Sequence, residues 1–148
     1  MAVRAADLRR RPAVVYRRIL VPLVADEESE TAVALAAELA DDSGSRITAV
    51  VVVEVPPALP LDAHMLEEEA AARRILDDAR EIAAARGVRI RTQVVRTREA
   101  GEAIVAAAEE AEADLIVLHA RRTPRLGRTV RHVLHHAPCR VLLAAPSP

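Results

Sequence analysis

Residues 46–55 read RITAVVVVEV, an almost unbroken apolar and mostly β-branched run. A strand with one wet face alternates apolar and polar side chains, whereas a strand without that alternation is covered on both faces. Covering both faces of a sheet takes helices on each side, and the rest of the chain supplies them in alternation. Val15–Val24 is a second β-branched run. Glu27–Asp42 places Ala32, Leu35, Ala36 and Leu39 on one helical stripe, with Gly44 beyond its end. A proline-punctuated loop at 56–64 leads into a long Ala/Glu/Arg helix, Met65–Arg86, closed by Gly87. Val88–Val95 alternates as a half-exposed strand does. A helix over Glu99–Glu112, a short buried strand over Asp114–Leu118, a helix over Gly127–His136 and a last strand over Cys139–Ala145 complete the order βαβαβαβαβ. Strands separated by helices are joined by crossovers and lie parallel. The expected fold is one α/β domain at 15–148, a single doubly wound five-stranded parallel sheet, preceded by a basic flexible arm at 1–14 that carries Arg4, Arg9, Arg10 and Arg11.

Composition narrows the function classes. At 148 residues the chain fits one domain, and a 51% hydrophobic content excludes a disordered chain. Its apolar runs fall well short of the ~18 residues of a membrane span. A net charge of −1 argues against general nucleic-acid binding. Every basic residue is Arg, and Tyr16 is the only aromatic side chain, so the core is built of Ala, Val, Leu and Ile and no platform exists for stacking bases. One cysteine, Cys139, excludes an internal disulfide and, with no signal-like segment, points to a reducing compartment, the cytoplasm.

In doubly wound sheets ligands bind beyond the carboxyl ends of the strands. The loop after the first strand reads VADEES and lacks the glycines of a dinucleotide fingerprint; Asp26, Glu27 and Glu28 read as the cap and first-turn charge of a helix. The stretch after the fourth strand, HARRTPRLGRTVR, holds His119, Arg121, Arg122, Arg125, Arg128 and Arg131 without an acid and runs into a helix start at Gly127. Guanidinium groups beside a helix N-terminus suit an anion; a solvated basic loop is the alternative. His132 and His136 share a helix face, but no acid completes a metal set. Cys139 reads as a packed thiol. No nucleophile, base and oxyanion donor assemble, so neither catalytic residues, a metal nor a required cofactor is expected.

The segments RRILVPL (17–23), DLIVL (114–118) and, above all, GRTVRHVLHHAPCRVLL (127–143) resemble the universal stress protein family over residues 16–145. The strand pattern by itself supports a flavodoxin- or Rossmann-like sheet; the resemblance adds the strand order 3-2-1-4-5 and a homodimer paired through the last strand, here Cys139, Arg140, Val141, Leu142 and Leu143. The resemblance also implies a nucleotide pocket, at which Pro22, Leu23, Val52 and Gly127 match in place, while His119 falls at the family's first glycine and Arg128 at its Ser/Thr, with Thr129 one residue later. Two features of ATP-binding members are missing. Where they carry Asp after strand 1, this chain has Val24. Where they carry Gly-x2-Gly-x9-Gly-Ser/Thr, this chain has only Gly127, eight residues after His119 and five fewer than that pattern spans. Fewer backbone amides are then available to surround a triphosphate.

Residues 52–63 and 121–141 further resemble stress-protein domains appended to amino-acid permeases. The expectation is a non-catalytic, homodimeric, cytoplasmic regulatory domain coupled to a transporter or another regulated protein. One alternative is a sensor of AMP or a cyclic dinucleotide using residues 119–131; the other is an ATP-binding stress protein with a remodelled phosphate loop.

Overall fold

A computed structural model describes residues 16–24, 29–40, 44–120 and 126–145. The arm at 1–14, the acids Asp26, Glu27 and Glu28, and Arg121, Arg122 and Arg125 lie outside the described residues. The elements alternate as β1 (Arg18–Leu23), α1 (Ser29–Leu39), β2 (Arg46–Glu54), α2 (Leu66–Ala85), β3 (Arg89–Thr97), α3 (Ala100–Glu110), β4 (Leu115–His119), α4 (Arg128–His136) and β5 (Arg140–Ala144). All strand pairs are parallel, in the order β3-β2-β1-β4-β5. The expected doubly wound sheet and its strand order are therefore observed.

Successive residues of β1 face opposite ways, and both faces are buried. Ile19, Val21 and Leu23 pack with Ile47, Ala49 and Val51 beneath Ala32, Val33 and Ala36 of α1 and Leu76 and Ala79 of α2. Leu20 and Val50 pack with Ile116 and Leu118 beneath Ile104 and Ala108 of α3 and Val133 of α4. Leu20, at 0% exposure, sits at the centre; burying such a side chain contributes about 1.5–3 kcal/mol. Small alanines on the helices let aliphatic strands approach closely, which is how a core without Phe or Trp fills its volume.

Several boundaries differ from the sequence pattern for local reasons. β3 runs two residues past Val95, because its register with β2 continues to Glu54↔Thr97. β1 starts at Arg18; Tyr16 contributes only an isolated bridge to Ala40. α3 stops at Glu110, where Glu112 takes φ 51° and the Ala113 N–H donates to the Ala108 carbonyl at 2.9 Å. That left-handed closing position is one glycine fills most readily. Gly87 does so after α2, at φ 69°.

Candidate functional site

The parallel sheet gathers the carboxyl ends of all five strands at one edge, and the switch between β1 and β4 lies at its middle. Pro22 and Leu23 end β1 there, Val52 and Glu54 end β2, and His119 ends β4. Gly127 is the N-cap position of α4, with Arg128 and Thr129 in its first turn. These candidates share the edge but not one chamber. Leu23 is 1% exposed and seals the α1/α2 side, whereas Val52 packs on the α3/α4 side.

On the α3/α4 side a cleft of about 460 Å³ opens between the first turns of the two helices. Glu54, Arg98, Glu99, Glu102, Arg128 and Thr129 line it. The N-termini of α3 and α4 both border it, each presenting unpaired backbone N–H groups and a partial positive charge. The chain's own acids answer that charge. Glu99 stands at the N-cap position of α3 and accepts from the Arg128 guanidinium at 3.1 Å; Glu102 lies in the first turn of α3. Among the described residues Glu54 and Glu102 have no cationic partner. Three carboxylates thus face two guanidiniums.

Both guanidiniums have partners within the chain, Arg128 in an ion pair with its side chain 86% exposed. Arg98 donates to the carbonyls of Val55 at 3.2 Å, of Pro56, and of Leu59 at 2.6 Å. Arg96 donates to the Ala63 carbonyl and pairs with the Glu69 carboxylate. Two arginines at the end of β3 therefore pin both halves of the proline-rich loop at 56–64. Thr97 supports the junction: its hydroxyl accepts from the Glu99 N–H at 3.1 Å.

The α3–α4 contact is close because Gly101 has no side chain; a Cβ there would meet the His132 Cβ at 2.8 Å. The His132 and His136 rings stack at 4.2 Å, and no group of three metal-ligating side chains occurs among the described residues. Burial pushes the Cys139 thiol up from its ordinary range, and the nearby Asp114 carboxylate adds to the shift. A thiol so placed is a poor nucleophile at neutral pH.

The structure adds Glu54, Arg98, Glu99, Glu102 and His132 to the site. The segment RTREAGE carried the signal. It joins a strand to a helix, so in a parallel sheet it reaches the same edge as the loops after the first, second and fourth strands.

The family described as "Universal stress protein family" matches residues 15–145. A universal stress protein of Synechocystis sp. is 29% identical over 136 residues, covering 91% of this chain and 84% of that protein. The crystal structure of a universal stress protein family member from Burkholderia pseudomallei is 31% identical, with a TM-score of 0.69, covering 89% of this chain and 98% of that one. The universal stress protein of Archaeoglobus fulgidus, solved in complex with dAMP, shares the fold at 23% identity, with a TM-score of 0.70 and coverage of 88% and 98%.

Proposed function

This chain belongs to the universal stress protein family, and from that premise we propose that it is a non-catalytic regulatory module, working as a homodimer, that does not take ATP in the manner of the family's ATP-binding members. One observation carries the reading. At the carboxyl edge Glu99 and Glu102 occupy the positive end of α3, Arg128 is tied to Glu99, and Arg98 is spent on loop carbonyls. A triphosphate entering there meets three carboxylates, and to take either guanidinium it must compete with Glu99 or with the loop carbonyls. Val24 in place of an acid and the short, glycine-poor connection after His119 point the same way.

The test is a calorimetric titration with Mg-ATP of the wild type and of Thr129→Ala, with hydrolysis assayed in parallel. The expected result is no ATP binding that depends on Thr129 and no hydrolysis above background. Micromolar binding abolished by Thr129→Ala overturns the reading. The Archaeoglobus dAMP complex favours a second reading, a monophosphate or cyclic-dinucleotide sensor. A melting-temperature shift with AMP or a cyclic dinucleotide that disappears in Arg122→Ala and Arg125→Ala selects it.

Dimerisation is proposed through β5. That edge offers half-buried Val141, Leu142 and Leu143, and beside Arg131 and His135 lie the exposed Leu126 and Leu134. The opposite edge, β3, carries Arg89, Arg91 and Arg96, charges that discourage pairing. Sedimentation at tens of micromolar is expected to show a dimer that Leu134→Asp dissociates; a monomeric wild type overturns it. The regulated partner is read as a transporter from the resemblance of residues 52–63 and 121–141, and the location as cytoplasmic. Among the described residues no helix is long and apolar enough to cross a membrane. Co-purification of this chain with a transporter encoded beside it is the check.

A further inference from the structure

At the other end of the sheet, where the strands begin, β1, β2 and β3 each open on arginine. Arg18, Arg46 and Arg89 stand in register on adjacent strands, so they share one face at about 4.8 Å spacing. Arg91 follows two residues on, opposite Thr48 on the same face. A cleft of about 400 Å³ lies over this face beyond the end of α3, lined by Arg17, Arg18, Arg46, Thr48, Arg91 and Asp114.

The acids at the cleft are already engaged. The Asp114 carboxylate accepts the backbone N–H groups of Arg17 at 2.9 Å and Arg18 at 3.2 Å. Glu112 accepts from the Arg18 guanidinium at 3.0 Å. Among the described residues Arg17, Arg46 and Arg91 have no carboxylate partner. Like charges aligned across neighbouring strands repel one another, and a multivalent anion relieves that repulsion while matching the fork of the guanidinium group.

We propose that this amino-edge cleft binds an oligophosphate, a short chain of phosphoryl groups free or carried on a nucleoside, held by Arg17, Arg46 and Arg91 with the Thr48 hydroxyl as a further donor. The site lies on the opposite edge from the α3/α4 cleft, and it does not depend on the function proposed for that edge.

The experiment is calorimetry on the full chain at 0.15 M salt (to screen diffuse charge, with a Debye length of about 8 Å), using inorganic tripolyphosphate, ATP without magnesium, and citrate. The expected result is saturable tripolyphosphate binding with one site per chain, equalled by ATP and not by citrate. Each arginine removed is expected to weaken it roughly tenfold, as befits a charged hydrogen-bonding partner. Arg46→Ala with Arg91→Ala should therefore weaken binding about a hundredfold, while Thr129→Ala at the opposite edge leaves it unchanged. Glu112→Gly, which releases Arg18, should tighten it. Arg91→Gln alone, on the exposed edge strand, reads the same loss should the double variant fail to fold. Absence of saturable tripolyphosphate binding, equal binding of citrate, binding of ATP alone, or binding indifferent to Arg91→Gln overturns the proposal.

Discussion

The two ends of the sheet carry clefts of similar size, about 460 Å³ at the carboxyl edge and about 400 Å³ at the amino edge. They use arginine in opposite ways. At the carboxyl edge guanidinium groups are mortar: Arg98 ties three loop carbonyls, Arg96 ties a fourth and a carboxylate, and Arg128 ties Glu99. At the amino edge Arg46 and Arg91 stand exposed over a polar cleft whose carboxylate, Asp114, is turned to the backbone N–H groups of Arg17 and Arg18. The lesson is that a residue type carries no role of its own. A guanidinium facing carbonyls holds a loop, and the same group facing water adds to a field.

The sharpest way to break this contrast is at Gly101. Gly101→Ala drives a Cβ to 2.8 Å from His132, so α3 and α4 must separate. Overpacking of this kind costs about 1–3 kcal/mol, against roughly 1 kcal/mol that alanine returns in a helix. A net loss of up to ~2 kcal/mol is expected, read as a lower denaturation midpoint, with the carboxyl-edge cleft distorted and the amino-edge cleft untouched.

Next comes Arg98→Ala. It strands the loop carbonyls, and because the group is exposed the loss should be about 1 kcal/mol. Hydrogen exchange is expected to accelerate in residues 56–64 ahead of the rest. The matched substitution at the other end, Arg91→Gln, should change stability by less than ~0.5 kcal/mol, as expected for a side chain without a partner. Equal losses from the two variants would erase the distinction between mortar and field.

Glu112→Gly sharpens the amino edge. It removes a left-handed non-glycine residue worth about 1–2 kcal/mol, offset by the added freedom of unfolded glycine and the loss of an exposed ion pair with Arg18. A gain of roughly 0.5 kcal/mol should appear in equilibrium unfolding. The smallest effect is at Cys139. Its thiol is raised by burial and by Asp114, so at pH 7 it should react with a disulfide reagent more slowly than a free cysteine. Asp114→Asn should speed the reaction modestly.

Much of this architecture was legible from local pattern. The unbroken run in β2 demanded cover on both faces, and Ile47, Ala49, Val50, Val51 and Val53 are all buried. The stripe Ala32, Leu35, Ala36 and Leu39 marked the inner face of α1; Ala32 and Ala36 are buried in the core and Leu35 and Leu39 pack, partly buried, against it. The strand order came from the resemblance of residues 127–143 and its neighbours rather than from periodicity. The site was less legible. His119, Gly127, Arg128 and Thr129 do lie at the carboxyl edge, yet Leu23 faces the other helical layer, and the acids that set the cleft's charge carry no local signal, Glu54 standing in the β2 run and Glu99 and Glu102 in the α3 pattern.

Periodicity is a short-range property, written within a dozen residues, and so the chain's own order of letters determined its elements, their buried faces and their alternation. Which arginines meet a carbonyl and which meet water depends on groups far apart along the chain. Arg98 reaches Val55 across 43 positions, and Arg18, Arg46 and Arg89 align only once three strands lie side by side. Guanidinium groups sit on long, rotatable stems, so their partners are chosen by the packed fold, and only the tertiary structure decided them.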